Sequence, residues 1–173
     1  MKDNFRIILC RLGGIGDVIH TLPLAKYLRK KYKEASIEYI TSENIEELLT
    51  SYCPFINKVW VYKKGRKKEL ANQLLSETTK IDYFFNLHSS FSFFFFNLLY
   101  IKSKKFFQYK KDTSVHAIVN FAKTYDSAIS AFDLEMKTIH SNNSKIILAK
   151  YGLEASRYAC FVPGVGNTRI HRA

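Results

Sequence analysis

The chain has 173 residues, which is enough for one domain with a sizeable hydrophobic core, or for one domain and part of another. Its 27 lysines and arginines against 15 acids favour anionic partners such as phosphates, nucleic acid or a membrane surface, although a general bias in composition is the alternative. Three widely spaced cysteines, Cys10, Cys53 and Cys160, argue against a disulfide framework and a zinc site, and favour a reducing compartment.

The first two predicted elements are a buried strand from Phe5 to Leu12 and a helix from about Asp17 to Lys33. Pro23 is expected to split or kink this helix, with Thr21 free to cap its second piece. The apolar residues of the helix recur at spacings of three and four and predict one buried stripe, made of Val18, Leu22, Ala25, Leu28 and Tyr32.

Strands and helices alternate along the rest of the chain. Further strands are predicted over residues 36–41, 58–62, 82–87 and 106–109, and helices over residues 44–52, 69–79, 89–100 and 115–125. Less regular sequence follows from residue 126, with short strands expected near 145–148 and over 157–162. The alternation predicts an α/β fold in which helices cover both faces of a Rossmann-like parallel sheet.

The longest apolar run, residues 91–101, is interrupted by Ser92 and Asn97 and falls short of the roughly 20 residues that a membrane-spanning helix needs. The N-terminus enters a strand at once, so no signal peptide is predicted and a cytoplasmic protein is expected. Phenylalanines of the run are expected to pack in the core and at a domain interface, with peripheral membrane contact as the weaker option: Phe91, Phe93, Phe94, Phe95 and Phe96.

A glycine-rich loop joins the first strand to the first helix, within the sequence LCRLGGIGDVIHTLP of residues 9–23. Gly13, Gly14 and Gly16 allow a tight turn and the close approach of another molecule, and Asp17 stands where the loop becomes helix. Ligands of open α/β sheets bind at such points, near the unpaired N–H groups of a helix start. The spacing matches neither a dinucleotide-binding loop nor a Walker loop, and an ordinary turn capped by Asp17 is the alternative.

The densest basic cluster is the sequence KKGRKK of residues 63–68. A solvated loop followed by a helix start is the simpler interpretation of this cluster. The functional alternative is a binding site for phosphates or carboxylates.

The stretch from Arg11 to Tyr32, with its IGDVIHTLP, resembles the start of the ADP-heptose:lipopolysaccharide heptosyltransferases of glycosyltransferase family 9. The resemblance implies the N-terminal half of a GT-B glycosyltransferase. Residues 1–150 would form its Rossmann-like acceptor-binding domain, and residues 151–173 the start of a truncated nucleotide-sugar-binding domain. The sequence VPGVG of residues 162–166 resembles the loop that opens the second domain of this family.

Two histidines lie in stretches that resemble the same family. Residues 82–90 resemble an internal motif, although Asn86 and His88 stand where the family has an acid and a glutamine. His116 resembles the histidine that starts a helix of the acceptor domain. Taken singly, His88 and His116 are expected to be core or capping residues rather than catalytic groups.

The family activity implies an inverting transfer of heptose from ADP-heptose to the inner core of lipopolysaccharide. Such a displacement needs a general base for the acceptor hydroxyl, and Asp17 is assigned this role. Neither a metal cluster nor a cofactor is expected beyond the donor. The substrate-binding candidates are Gly13, Gly14, Gly16, Lys63, Lys64 and Arg66, and the nucleotide-sugar contacts of a second domain are Gly164, Gly166 and Thr168.

Two other functions stay open. The early C-terminus suggests an inactive remnant that folds and binds anionic glycolipid, and the isolated chain is expected to be poorly active unless a partner supplies the missing half. Charge alone suggests a polyanion or nucleic-acid binder, but no nucleic-acid-binding signature supports it. The expected partners are therefore the sugar-nucleotide donor and the lipopolysaccharide acceptor, without nucleic acid, and with a peripheral contact to the cytoplasmic face of the inner membrane left open.

Overall fold

A computed structural model describes residues 5–77, 80–135, 149–150 and 152. The chain divides into two compact units, Met1–His140 and Ser141–Ala173. The strands expected near 145–148 and over 157–162 lie outside the described residues. The domain boundary predicted after residue 150 adjoins such residues and stays a prediction.

Five strands and five α-helices alternate over the described residues of the first unit, as the sequence pattern predicts. The strands are β1 Arg6–Cys10, β2 Ser36–Thr41, β3 Lys58–Val61, β4 Tyr83–Asn86 and β5 Lys105–Gln108. The helices are α1 Ile15–Lys31, α2 Glu43–Tyr52, α3 Lys67–Glu77, α4 Ser92–Phe96 and α5 Ala117–Ala122, with a π-helical turn Asn97–Ile101 continuing α4 and a 3₁₀ turn at Ala131–Asp133. Every strand boundary lies within two residues of its prediction.

The strands form one parallel sheet in the order β3-β2-β1-β4-β5. Successive residues of β1 point to opposite faces, so Leu9 packs with α1, α2 and α5, whereas Ile8 packs with α3 and α4. Both faces are therefore covered, which explains why all five residues of β1 are buried. The predicted α/β sheet with helices on both faces is confirmed.

The expected split of the first helix at Pro23 is wrong, because α1 runs without interruption from Ile15 to Lys31. Thr21 caps nothing; its buried hydroxyl donates to the Val18 carbonyl oxygen over 2.6 Å and lies 2.6 Å from the Tyr39 hydroxyl. Pro23 removes a single backbone hydrogen bond. The buried side chains on either side of it, Leu22 and Leu24, hold the helix against the sheet.

The phenylalanines of α4 do not all enter the core. Phe93 and Phe96 are buried against the sheet as expected, but Phe91, Phe94 and Phe95 are 64%, 37% and 56% exposed, so the prediction of core packing is wrong for these three. A helix lying on one face of a sheet buries only the side that touches it. A continuous run of phenylalanine therefore leaves an apolar surface facing outward.

A buried ion pair ties β1 to β2 on the side of the sheet covered by α3. The guanidinium of Arg6 donates to both carboxylate oxygens of Glu38, over 2.5 and 2.8 Å, and to the Leu74 carbonyl oxygen over 2.7 Å. The Trp60 indole N–H donates to Glu38 over 2.6 Å, and Ser36 Oγ donates over 3.1 Å. The side chains of Arg6 and Glu38 are only 2% and 4% exposed, so this pair belongs to the core.

Candidate functional site

The carboxyl ends of β1 and β4 meet at the switch point of the sheet. From β1 the chain moves outward through β2 to β3, and it then returns to place β4 on the other side of β1. Register pairs Cys10 with Asn86 at the two strand ends, and the Leu87 N–H donates to the Cys10 carbonyl oxygen over 3.0 Å. The loops after the two strands therefore lie side by side, in the place where open α/β sheets bind ligands.

Gly14 begins α1 in a conformation that favours glycine. Its φ is +71°, and a Cβ added there would lie 2.9 Å from Asp17 Oδ2. Around Gly13 and Gly16, by contrast, an added Cβ would meet no atom of the described chain within 4 Å. Gly14 is thus required by the turn itself, whereas Gly13 and Gly16 border open space beside Asp17.

Asp17 does not cap the helix, which was the alternative interpretation of the loop. The N-cap of α1 is Gly14, and no side chain caps it. The Asp17 carboxylate instead forms an ion pair with Arg11, which donates from Nη2 to Oδ2. The Asp17 side chain remains 44% exposed, and its Oδ1 accepts no hydrogen bond from the described residues. Arg11 therefore orients the carboxylate through Oδ2, while Oδ1 keeps no partner among the described residues in a side chain that is partly exposed.

Arg11 is the functional candidate that the sequence analysis missed. Its Nη1 donates to the Leu87 carbonyl oxygen over 2.8 Å, and its guanidinium lies 5.6 Å from the centre of the Phe121 ring. The Arg11 side chain is 15% exposed, and its Nε has no hydrogen-bond partner among the described residues. Arg11 thus connects the loop after β4 to Asp17. The sequence does hold a signal for this role, because Arg11 follows directly after a buried strand and stands six residues before the acid Asp17.

Side-chain amides hold the loop after β4 in place. Asn86 Nδ2 donates to the Ser90 carbonyl oxygen over 2.9 Å and to Gln108 Oε1 over 2.8 Å. Gln108 Nε2 donates in turn to the His88 carbonyl oxygen over 2.6 Å. Asn86 is fully buried, so the hydrogen bonds of its side-chain amide hold the backbone of the loop after β4 in a fixed position.

His88 lies between the two loops as a neutral hydrogen-bond acceptor. Its Nε2 accepts a hydrogen bond from the Leu12 N–H over 2.9 Å, which places the imidazole proton on Nδ1. Burial, assisted by the neighbouring Arg11 guanidinium and opposed by Asp17, lowers the pKa of His88 to about 4. His116 caps α5, with its Nδ1 accepting from the Ile118 N–H over 3.4 Å. Both histidines have the structural roles expected for them.

We expect His88 to make the protein less stable in mild acid. The folded-state pKa of about 4 lies below the ordinary value of about 6.5, so the unfolded chain binds more protons between these two values. The free energy of unfolding should therefore fall as pH falls through this range, by about 3 kcal/mol at most. Urea unfolding across the range measures this effect. The variant His88→Gln retains an acceptor for the Leu12 N–H but has no imidazole to titrate, so its stability should depend less on pH. If the free energy of unfolding changed equally with pH in both proteins, the assignment to His88 would be wrong.

The basic cluster lies at the carboxyl end of β3. Lys63 and Lys64 line a shallow pocket of about 610 Å³ together with Ser42, Glu43, Asn44, Val61 and Tyr62. The Ser42 hydroxyl donates to the Leu12 carbonyl oxygen, so this pocket adjoins the loop after β1. Arg66 donates to Glu69 over 3.3 Å and lines a second pocket, of about 240 Å³, which Lys63 also lines.

The structure thus brings together some of the candidate residues. Gly13, Gly14, Gly16 and Asp17 share one loop and helix start, and Lys63 and Lys64 share the neighbouring pocket. The remaining candidates, Gly164, Gly166 and Thr168, lie outside the described residues.

No protein-family model and no curated protein sequence matches the chain. Solved structures do match its fold. A glycosyl transferase family 9 protein from Veillonella parvula superposes with a TM-score of 0.65 and 21% identity, covering 89% of this chain and 52% of its own. The E. coli ADP-heptose lps heptosyltransferase II gives a TM-score of 0.62 and 17% identity, covering 86% and 51%.

A third structure, E. coli heptosyltransferase WaaC with ADP-2-deoxy-2-fluoro heptose, has a TM-score of 0.55 and 11% identity, covering 72% of this chain and 48% of its own. The chain therefore spans about half the length of the structures it matches. At these identities the likeness establishes the fold. The predicted Rossmann-like parallel sheet with helices on both faces is confirmed, and it matches the fold of about half of each of these structures.

Proposed function

We propose that the chain is the acceptor-side half of an inverting glycosyltransferase, which transfers heptose from ADP-heptose to the inner core of lipopolysaccharide. The carboxylate of Asp17 is the observation that carries this proposal. It lies at the switch point of the sheet, is 44% exposed, and borders open space at Gly13 and Gly16. The motif around it resembles family 9, and family 9 and heptosyltransferase structures share the fold.

In the proposed reaction the acceptor hydroxyl oxygen attacks the anomeric carbon while the bond from that carbon to the diphosphate oxygen breaks. The electron pair of that bond leaves with ADP, and the hydroxyl proton passes to Asp17. Arg11 holds Oδ2, which leaves Oδ1 without a hydrogen-bond donor among the described residues and available to the acceptor. His88, neutral and bonded to Leu12, keeps the loop closed against β4 and takes no part in proton transfer.

Fixed positive potential favours both substrates of this reaction, since the donor carries a diphosphate and the acceptor carries phosphates and acidic sugars. Lys63 and Lys64 in the pocket beside the glycine loop are the proposed contacts to the acceptor, together with Arg66 in the second pocket that Lys63 lines. Gly164, Gly166 and Thr168 are proposed contacts to the diphosphate. No cofactor is needed in this scheme beyond the sugar-nucleotide donor.

The lipid-borne acceptor gives the proposal a cellular location. A soluble donor and an acceptor anchored in a bilayer meet at the membrane surface. We therefore place the protein in the cytoplasm, in peripheral contact with the inner membrane.

A turnover assay tests the proposed function. The purified chain is incubated with ADP-heptose and inner-core acceptor lipid, alone and supplemented with a nucleotide-sugar-binding domain from a family 9 enzyme, and released ADP is measured. We expect slow transfer or none from the chain alone and faster transfer with the supplement, because the site of such enzymes lies between two domains. Binding of the acceptor lipid without turnover in either mixture would favour the inactive glycolipid-binding alternative and contradict the proposal.

A further inference from the structure

An exposed apolar surface runs along α4 and the π-helical turn that follows it. Six large side chains that the structure leaves 37–64% exposed form this surface, here termed the aromatic patch: Phe91, Phe94, Phe95, Leu98, Leu99 and Tyr100. The opposite side of the same helical segment, with Phe93, Phe96 and Ile101, is buried against the sheet. Apart from Ser92 and Asn97, the segment thus carries apolar side chains on its exposed side as well as its buried side, which is unusual for a helix with one side facing water.

Lysines border the aromatic patch, and acids are missing from the sequence of the segment that carries it. The stretch between Asp82 and Asp112 contains five lysines and no acidic residue. At the start of α4, Lys67 Nζ donates to the Ser92 carbonyl oxygen over 2.9 Å and to its hydroxyl over 2.5 Å. The exposed Lys102 lies two residues after Tyr100, the last residue of the patch. These cations complement an anionic partner.

A pocket joins the aromatic patch to the lysines of α3. It measures about 400 Å³ and is lined by Tyr62, Gly65, Lys67, Lys68, Phe95, Phe96, Leu99 and Tyr100. Its apolar wall and its cationic rim fit an acyl chain beside an anionic headgroup. Such a combination of exposed phenylalanine and leucine with lysine is typical of surfaces that insert into the headgroup region of a bilayer.

From these observations we propose that the aromatic patch docks the chain onto an anionic phospholipid membrane. Among the described helices none is long and apolar enough to cross a bilayer, so the contact lies in the interface. A second copy of the chain is a poorer occupant, because self-association would bring the surrounding lysines of two copies together. The headgroups of acidic lipids instead neutralise those lysines.

The position of the aromatic patch relates docking to the candidate site. The loop that carries His88 leads directly into α4, and the His88 ring stacks on Phe93 with 5.9 Å between ring centres. A chain docked through the patch would hold the end of β4 close to the bilayer surface. The docking rests on the peripheral membrane contact of the proposed function and assigns it to the aromatic patch. Vesicle binding requires neither donor nor acceptor, so it succeeds or fails separately from sugar transfer.

Flotation with lipid vesicles tests the proposal on the full chain without any sugar substrate. We expect binding to vesicles of phosphatidylglycerol and phosphatidylcholine in equal amounts, and little binding to phosphatidylcholine alone. The variant Phe91→Ser/Phe95→Ser/Leu99→Ser should bind the anionic vesicles about tenfold or more weakly. The control Phe132→Ser removes one fully exposed phenylalanine outside the patch and should bind as the wild type does.

Lysine variants test the electrostatic part. Lys68→Gln and Lys102→Gln should each weaken binding to anionic vesicles about fivefold, because a lysine near such a surface contributes about 1 kcal/mol. The control Lys33→Gln/Lys123→Gln removes two exposed lysines elsewhere and should leave binding unchanged. Circular dichroism checks that each variant folds.

Three results would overturn the proposal. The first is absence of binding to anionic vesicles by the folded wild-type chain. The second is equal binding by the triple serine variant. The third is a dimer of the wild type that the triple variant dissociates, without any vesicle binding, which would assign the patch to a second copy of the chain. Because no turnover is measured, none of these results bears on the transferase activity.

Discussion

Replacing Asp17 by asparagine is expected to lower the rate of sugar transfer about a hundredfold to ten-thousandfold, which is the usual contribution of a positioned general base. The asparagine amide keeps the shape of the side chain and one oxygen for Arg11, but it cannot take the proton of the acceptor hydroxyl. The loss should appear in kcat with KM nearly unchanged, because the proton moves only in the transition state. Initial rates of ADP release by the chain supplemented with a nucleotide-sugar-binding domain measure both constants.

Asp126→Asn is the matched control for this substitution. Asp126 is an exposed aspartate in a turn, where its Oδ1 accepts a hydrogen bond from the Ala128 N–H over 3.0 Å, and an asparagine oxygen can do the same. We expect this variant to transfer at the wild-type rate. Transfer by Asp17→Asn at the wild-type rate would contradict the assignment of Asp17 as the base and leave the glycine loop a binding element only.

Replacing Glu38 by alanine is expected to lower the free energy of unfolding by about 3–5 kcal/mol, because it removes the carboxylate that faces the buried, charged Arg6 guanidinium. The Trp60 indole N–H loses its acceptor in the same variant, which adds to the cost. Urea unfolding followed by far-ultraviolet circular dichroism measures the effect. The transfer rate should change only in proportion to the fraction of chain that is unfolded, since Arg6 and Glu38 are buried in the core and do not contact Asp17.

A double substitution separates the charge from the volume of the pair. Arg6→Met/Glu38→Leu removes both charges and keeps apolar side chains of similar length, so it should be less destabilised than Glu38→Ala. Glu69→Ala provides the exposed control, since the pair of Arg66 and Glu69 is 62% and 52% exposed and should contribute less than about 1 kcal/mol. A double variant less stable than Glu38→Ala would show that the ion pair stabilises the fold by itself.

The elements of the first unit were predictable because their patterns are local. Short apolar strands alternate with helical stripes between them, and a right-handed crossover between parallel strands leaves few arrangements open. The Gly-Gly-x-Gly-Asp loop after the first strand likewise indicated where a site would lie, because such loops mark the edge of the sheet at which ligands bind. Whether Asp17 acts as a base stays a prediction, as do the contacts assigned to the glycines, Lys63, Lys64 and Arg66.

Other features were not predictable from local sequence. Pro23 carries the signal for a broken helix, yet packing against the sheet keeps α1 continuous. The phenylalanine run carries no periodicity that separates its buried side from its exposed side, so only the placement of α4 on the sheet exposes Phe91, Phe94 and Phe95. The first error arises because tertiary contacts outweigh a local preference of a few kcal/mol or less, and the second because the local sequence holds no signal for the side that is buried.

By itself the sequence determined the α/β class, the order of elements and the loop that carries Asp17, since each depends on residue types a few positions apart. Only the tertiary structure shows that Arg11 pairs with Asp17 and that Arg6 pairs with Glu38 in the core. It also shows that the His88 imidazole is neutral and accepts a hydrogen bond from the Leu12 N–H. Each of these contacts joins side chains from different elements. Their chemistry depends on distance and burial, which arise only when β1, β2 and β4 are assembled into one sheet.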